Sequence, residues 1–319
     1  MTKRVLVLGY SQTGQLGRLV DSIIQPLVAS DEIEVIKQSI EPVQPFPFPW
    51  PFLYFFNTFP ETVYESPIEL KPLAIGKDDD FDLIILAYQV WFLSPSRPIS
   101  SFLNSASAEA LFRDKPVITV IGCRNMWLMA QEKVKAKLSA LGAKLIDNVV
   151  LTDSAHSAFT FVSTPLWVLT GNQGPFLGGL IPRAGIPQED ITAASRFGRA
   201  IADQLPHQIP HQSSEPRSML DGLGAVKVQE RLIASEIIAH RSFKIWGKLL
   251  RRVGDQDSAL RKCVLGVYIL FLIIMILTVV PISAVLKRLF APLLRKRTAA
   301  QKSYYAAPSG EASHRHRMS

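Results

Sequence analysis

Cysteine is nearly absent from this chain. Only Cys123 and Cys263 occur among 319 residues, and they lie far apart in the sequence. Two cysteines so placed do not form the framework of a disulfide-stapled fold, and Cys and His residues nowhere recur at the spacing of a metal site. The sequence therefore predicts no metal centre and a reducing, cytosol-facing location.

The common nucleotide-binding signatures are missing as well. The turn Ser11-Gln-Thr-Gly-Gln-Leu16 has neither the lysine of a Walker loop nor a G-x-G-x-x-G pattern, which disfavours a nucleoside triphosphate or a dinucleotide. The hydroxyls of Ser11 and Thr13, with the N–H groups of a helix start, instead form a nest that suits a monophosphate without a metal. An ordinary strand-to-helix turn with a Ser or Thr cap is the alternative.

Acidic residues are scarce in the last third of the chain. Residues 218–319 hold 17 Lys and Arg against six Asp and Glu, whereas the preceding part is slightly acidic. A nucleic-acid-binding domain carries its basic surface on the folded part. Here the basic residues surround an apolar segment, which predicts anionic lipid head groups as partner and no nucleic acid. No long apolar run follows Lys3 and Arg4, so we expect no signal peptide.

The first two hundred residues alternate strand and helix patterns. Apolar runs predict five strands, at residues 4–9, 32–40, 82–88, 117–122 and 143–151. Helical spacing predicts helices at 16–28, 99–111, 127–141 and 188–205, with a loop-rich stretch at 163–175. This order predicts an α/β fold with a doubly wound five-stranded parallel sheet over residues 1–205. Ligands of such sheets bind at the carboxyl ends of the strands.

The rest of the chain divides into four segments. Residues 206–217 predict a linker, and residues 218–262 an amphipathic basic helical segment in a membrane interface or, alternatively, packed on the domain. Residues 263–286 are uncharged and long enough to form a transmembrane helix, which Pro281 could turn into a re-entrant one. Basic residues flank this run on both sides, so its orientation stays open. Residues 287–319 predict a basic, largely disordered tail.

The opening Val5-Leu-Val-Leu-Gly-Tyr-Ser-Gln-Thr-Gly14 resembles that of flavodoxins and flavodoxin-like NAD(P)H oxidoreductases. The resemblance implies FMN as cofactor. It also implies that the phosphate is held by Ser11, Gln12, Thr13, Gly14, Gln15 and Leu16. Leu16 stands where the family usually has a further Thr or Ser, so one hydroxyl of the pattern is missing.

The stretch from Asp82 to Pro98 resembles the third strand and flavin-stacking loop of the same family. The resemblance implies that the flavin ring is contacted by the backbone amides of Tyr88, Gln89, Val90, Trp91 and Phe92 and flanked by an aromatic side chain of this loop. The turn after the fourth strand borders the flavin in this fold, and its expected contacts are Cys123, Arg124 and Asn125. Aromatic residues that only cover the sheet edge, and a solvated Arg124, are the alternatives.

A segment from Pro45 to Pro60 is unusually rich in proline and aromatic residues. Its prolines enforce an extended course, and its aromatic surface predicts an apolar substrate lid or a membrane-contacting rim, with core packing as the alternative. With the Ser-Gln-Thr-Gly-Gln opening and the long extension, it looks like a narrower family, the dialkylresorcinol condensing enzymes of aryl-lipid biosynthesis. That resemblance implies an aromatase-type oxidation of a cyclohexanedione precursor made by a partner ketosynthase.

These features predict an FMN-dependent oxidoreductase that moves hydride between the flavin and a hydrophobic substrate. It is expected to be anchored to the inner or cytoplasmic membrane, with the catalytic domain facing the cytoplasm. Tyr88 and His156 are the predicted catalytic bases. One alternative is a membrane-bound NAD(P)H:quinone reductase or electron-transfer flavodoxin, with NAD(P)H as second cofactor. The other is a flavodoxin-fold scaffold without catalytic activity.

Overall fold

The computed structural model describes residues 2–75, 79–155, 157–208 and 218–309, with the backbone alone at 157–158, 280 and 284–294. Its strands are β1 Lys3–Gly9, β2 Ile33–Ser39, β3 Leu83–Trp91, β4 Ser94–Pro95, β5 Pro116–Cys123 and β6 Lys144–Thr152. Five of them form a parallel sheet in the order β2-β1-β3-β5-β6, and the short β4 pairs antiparallel with β3. This is the flavodoxin-like strand order, and the predicted fold class is confirmed.

Among the described residues, helices alternate with the strands up to β6, and only helices follow β6. They are α1 Gln15–Val28, α2 Phe52–Val63, α3 Arg97–Leu103, α4 Ala106–Phe112, α5 Leu128–Ala140, α6 Ser157–Thr170, α7 Gln188–Ala193, α8 Ser195–Gln204, α9 Glu230–Val253, α10 Ala259–Leu277 and α11 Val279–Ala306. Two differences from the sequence prediction stand out. The helix expected at 99–111 is divided, because the Ser105 hydroxyl accepts the N–H of Ala108 and starts α4. The stretch 163–175 lies partly in α6 rather than in a loop.

The sheet is buried on both faces, which explains the continuous apolar runs of its strands. Val5 and Val7 of β1 point to the side covered by α1, α7 and α8. Leu6 and Leu8 point to the side covered by α3, α4 and α5. Each such side chain contributes roughly 1.5–3 kcal/mol on leaving water. Gly198 lets α8 lie against α1, since a Cβ there would meet the carbonyl oxygen of Ile23 at 1.8 Å.

The segment from Ser218 to Val226 covers the free edge of β6. The carboxylate of Asp147 in β6 accepts the N–H of Met219 at 2.7 Å, and the N–H of Val150 donates to the carbonyl of Ala225 at 2.8 Å. Met219 and Ala225 are buried in the core. The predicted amphipathic segment therefore becomes helical only from Glu230, and its first residues protect an edge strand from pairing with another chain.

The C-terminal helices α9 to α11 pack against the domain at the start of this segment and again after the end of α11. α9 lies on α2 and α5 with Ile233 and Leu250 buried. One helical stretch among the described residues, Ala259–Ser283, is long and apolar enough to cross a membrane, with a mean hydropathy of 3.0. The predicted disorder of the tail is wrong up to residue 309, because α11 is helical to Ala306 and Ser309 is buried.

Candidate functional site

The turn between β1 and α1 presents backbone N–H groups at the start of a 14-residue helix. Within the described residues, the N–H groups of Thr13, Gly14 and Gln15 make no hydrogen bond. Gly14 has a φ of +75°, a conformation that glycine adopts without strain, and the Arg18 guanidinium lies 3.7 Å from the position of a Cβ there. The turn therefore combines free donors, a helix N-terminus and a cation, which together suit a phosphate.

Ser11 and Gln12 hold the shape of this turn. The Ser11 hydroxyl accepts the N–H of Gly17 at 3.2 Å, which closes the first turn of α1. The Gln12 side chain donates to the carbonyls of Phe46 and Pro47 at 3.0 and 2.8 Å, and so attaches the proline-aromatic segment to the turn. Its backbone N–H donates to the Gln89 side chain at 2.9 Å. These two residues therefore position the turn, and their own polar groups are already engaged.

The side chains of Gln15 and Leu16 are not available to a ligand. The Gln15 amide pairs with the backbone of Ile186, donating to its oxygen at 3.2 Å and accepting its N–H at 3.1 Å. Leu16 is buried in the core beside Gly122. The missing hydroxyl at residue 16 is thus replaced by a core side chain, and at these two positions the backbone alone faces the turn.

Tyr88 does not meet the requirements of a catalytic base. It is fully buried in β3, and its hydroxyl donates to the side chain of Gln131 in α5. Burial raises the pKa of this hydroxyl well above its usual range, and the nearby Cys123 and Glu132 add to the effect. The prediction that Tyr88 is a catalytic base is therefore wrong. The strand β3 is buried on both faces, and the Tyr88 side chain points from it towards α5 and away from the carboxyl ends of the strands. The second predicted base, His156, lies outside the described residues.

The aromatic residues after β3 point in two directions. Trp91 meets Tyr10, Phe46 and Trp50 edge to face, with ring centroids 5.9, 5.0 and 5.2 Å away. Phe92, at a φ of +49°, turns to the opposite side and packs on Phe59, 5.6 Å away. Trp91 therefore stays beside the turn after β1. The Phe92 side chain belongs to the contact with α2 and α9, while the contact of its backbone amide with the flavin stays a prediction.

Other residues of the two predicted loops have structural partners. Val90 pairs with Pro95 in the short β3–β4 ladder. Cys123 ends β5, and its carbonyl accepts the N–H of Asp153. Arg124 donates to the carbonyl of Thr160 at 3.4 Å and stacks on the Phe161 ring, 4.3 Å from its centroid. Burial lowers the Arg124 pKa to about 10. Asn125 is buried. Arg124 thus contacts α6, and the contact of Arg124 or Asn125 with the ring edge stays a prediction.

Helix α6 crosses above the carboxyl ends of the strands, a feature that the sequence did not reveal. Its first half contacts Arg124, which follows β5, and its second half accepts the N–H of Trp50, beyond β2, at the carbonyl of Val168. Its Trp167 ring lies against Gly185, whose N–H donates to Asp153 at 2.8 Å. The Ser163 hydroxyl of α6 is buried and has no hydrogen-bond partner among the described residues. The strand ends are therefore covered by a helix with a polar group beneath it.

The proline-aromatic segment has an inner and an outer side. Trp50 and Phe59 are buried, and Trp50 joins the cluster around Trp91. On the outer side, Phe52, Leu53 and Tyr54 are each between 44% and 55% exposed. Both the predicted core packing and the predicted apolar rim thus describe part of this segment.

A surface cavity of about 540 Å³ lies elsewhere, at the other end of α1. Charged residues of both signs line it, among them Glu32, Arg199 and Asp203. It adjoins the amino ends of the strands, where this fold does not place its ligands. Among the described residues no group of three or more His, Cys, Asp or Glu side chains is arranged to hold a metal ion.

Several solved flavoproteins are similar to this chain. A flavoprotein in complex with FMN from Lactobacillus acidophilus NCFM is 15% identical, over 47% of this chain and 93% of its own, with a TM-score of 0.38. Oxidised flavodoxin 1 from Bacillus cereus is 15% identical over 63% of this chain and 99% of its own, with a TM-score of 0.34. RosB, with a bound formylriboflavin phosphate intermediate, is 13% identical over 72% of this chain and 100% of its own, also with a TM-score of 0.34.

No family model and no curated protein matches the chain. Sequence identities of 13–15% with TM-scores below 0.5 do not establish which residues of this chain correspond to the FMN-binding residues of those proteins. The role of the turn after β1 therefore has to be argued from its own geometry.

Proposed function

We propose that this protein binds FMN at the carboxyl ends of β1, β3 and β5 and acts as a flavin-dependent oxidoreductase. The observation that carries the proposal is the turn at the start of α1, where the N–H groups of Thr13, Gly14 and Gln15 have no hydrogen-bond partner in the described part of the chain and Arg18 stands beside them. The turn lies next to the point where the strand order reverses, between β1 and β3, which is where such sheets bind their ligands.

Each part of the site has a separate task in this proposal. The free N–H groups and Arg18 hold the phosphate, while Gln12 and Gln89 keep the two loops in register. Trp91, with Tyr10 and Trp50, supplies aromatic surface for the ring system. Bound FMN supplies hydride and single-electron transfer, and the protein supplies binding, orientation and exclusion of water. Helix α6 and the proline-aromatic segment provide that exclusion, since both lie over the strand ends.

The substrate that fits this frame is hydrophobic and reaches the site from a membrane. Exposed Phe52, Leu53 and Tyr54 continue the aromatic cluster to the surface, and the apolar stretch Ala259–Ser283 packs on α2, the same helix that bears them. Aromatisation of a cyclohexanedione precursor delivered by a ketosynthase is the specific reaction that we propose. Among the described residues, the buried Ser163 and Thr164 hydroxyls of α6 have no hydrogen-bond partner, and we propose them, rather than Tyr88, as polar contacts for such a substrate.

An electron-transfer or quinone-reducing role is the second candidate. It is favoured by the engagement of Tyr88, which leaves no described side chain in the two loops as an evident base. A turnover assay distinguishes the aromatase from the quinone reductase. The reductase should consume quinone when a reductant is added, and it requires no ketosynthase. A scaffold without flavin remains the outcome if FMN does not bind.

Titration of the full chain with FMN and with riboflavin tests the proposal. A phosphate site predicts that FMN binds at least about tenfold more tightly than riboflavin, a difference of about 1.4 kcal/mol. Arg18→Gln should weaken FMN and leave riboflavin unchanged, whereas Arg113→Gln, an exposed arginine at the end of α4, should change neither. Equal affinity for the two flavins, or no binding of either, contradicts the proposal.

A further inference from the structure

We infer that α10 and α11 enter and leave the membrane on the same side, so that the C-terminus remains on the face that bears the flavodoxin-like domain. The inference rests on the membrane location within the proposed function and adds its topology. It commits to a lipid bilayer as the partner of the exposed apolar surface. The pair formed by α10 and α11, which contains the apolar stretch Ala259–Ser283, is attached to one globular domain at its start, through Arg261, and at its end, through Tyr304 and Ser309.

The first attachment fixes the start of α10. Arg261 is 2% exposed and forms a fork with Glu61 of α2, with nitrogen–oxygen distances of 2.7 and 2.9 Å. Its Nε donates to the Asn57 side chain at 2.9 Å. Two turns further on, Tyr268 stacks on Phe59 with ring centroids 4.8 Å apart. A buried, bidentate pair between an arginine and a carboxylate fixes both the position and the direction of the start of α10.

The second attachment fixes the end of α11. The Tyr304 hydroxyl donates to Glu132 of α5 at 2.6 Å, and Lys302 pairs with Glu230 at 3.0 Å. Beyond the helix, the Ser309 hydroxyl donates to Asp147 at 2.7 Å and accepts the N–H of Asn148 at 2.7 Å. Asp147 lies on the edge strand β6, so the chain returns to the sheet itself.

A complete crossing is incompatible with both attachments. If residues 259–283 spanned the hydrocarbon core, residues 284–304 would have to cross it again to bring Tyr304 to Glu132. This segment holds six charged residues, at 287, 288, 295, 296, 297 and 302, most of which the return would carry through the membrane. Charged side chains are costly at such depth, so a second crossing is excluded. A shallow entry and return needs no buried charge, and the basic residues then lie among anionic head groups.

Exposed apolar side chains run along α10, as at Val267 and Leu270, and continue across the bend between the two helices. Thr278 separates α10 from α11, and next to it Leu277, Val279 and Ile282 are 70%, 44% and 59% exposed. Pro281 stands in the first turn of α11, where a proline is tolerated. Because both ends of the helix pair are attached to the domain, the bend is the part that enters the bilayer, while the ends of the pair stay at its surface.

Protease accessibility of the full chain tests this topology. Epitope tags with cleavage sites are placed before Met1 and after Ser319, and sealed inside-out and right-side-out vesicles are treated with protease. Same-side entry predicts that both tags are cut only in inside-out vesicles. Cleavage of the two tags in opposite vesicle preparations overturns the inference and leaves the membrane location intact. Loss of the protein from washed membranes overturns the membrane location itself.

A second measurement tests the bend directly. Leu277→Glu should lower binding to vesicles of phosphatidylcholine and phosphatidylglycerol at least about tenfold, because it places a charge at the membrane-entering point. Val28→Glu is the matched control, since Val28 is 64% exposed on α1 of the domain, and it should not change binding. Unchanged binding of Leu277→Glu, with the far-ultraviolet spectrum of the native chain, contradicts entry at the bend.

Discussion

The backbone N–H of Gln12 donates to the side-chain oxygen of Gln89 at 2.9 Å and joins the turn after β1 to the last part of β3. The two residues are 77 positions apart in the sequence. The Gln89 backbone carbonyl in turn accepts the N–H of Ser96 at 3.0 Å. Through its side chain and its backbone, Gln89 therefore connects the turn after β1 with the segment that follows β3.

Replacing Gln89 by leucine should weaken FMN binding about fivefold, because the turn loses the acceptor that orients it, at a cost of about 1 kcal/mol. Flavin fluorescence titration measures the change. Gln38→Leu is the matched control, since Gln38 also accepts a backbone N–H, from Ala74, but on the exposed side of β2. Equal effects of the two variants would show that Gln89 has no special part in the site.

Gly14→Ala should both destabilise the fold and weaken FMN binding. A side chain at a φ of +75° costs about 1 kcal/mol, and relief of that strain moves the N–H groups of the turn. Gly222→Ala, at a φ of +78° with nothing within 4 Å, should cost similar stability without changing FMN affinity. Urea unfolding and FMN titration of both variants check this. A loss of affinity common to both would assign the effect to global stability.

Glu236 makes stability depend on pH. Burial raises its pKa to about 7, although the N–H of Met129, 2.8 Å away, favours the charged form. Because the pKa is raised on folding, the stabilisation is complete below about 4.5 and is lost as the pH rises through about 7. The group should contribute a fall of about 3 kcal/mol in the free energy of unfolding over that range.

Glu236→Gln should flatten this fall, since the amide keeps the shape without titrating. Chemical unfolding at a series of pH values measures the slope. Glu189→Gln, an exposed glutamate of α7, serves as the control and should leave the slope unchanged. A pH profile that is the same in the native chain and in Glu236→Gln contradicts the assignment.

Ser309→Ala should release the end of α11 from the sheet. The hydroxyl is buried and bonds to both Asp147 and the N–H of Asn148, so its loss should cost about 1–3 kcal/mol. Ser303→Ala, a partly exposed serine of α11, is the control. Hydrogen exchange is the measurement, and faster exchange in α11 is expected for Ser309→Ala alone. Unchanged exchange would remove this anchor from the account.

The five main strands and the turn after β1 can be predicted from the sequence because their signals are local. A strand buried on both faces has a continuous apolar sequence, and Gly14 indicates the positive φ of the turn. The same two-sided burial hides which way a side chain points, so the sequence places Tyr88 at the site although it faces α5. Pro165 interrupts the helical pattern of α6, so the sequence predicts a loop there. The docking of Ser309 depends on a partner 162 residues away, and no local pattern reports it.

The phosphorus-31 NMR spectrum of FMN added to the full chain tests the central claim most directly. If the N–H groups of Thr13, Gly14 and Gln15 hold the phosphate as a dianion, its resonance should shift on binding and should cease to titrate near its usual pKa of about 6. Arg18→Gln should reduce the shift. A resonance that stays at the position of free FMN and titrates normally, while the flavin absorbance shows binding, would contradict a phosphate site at the start of α1.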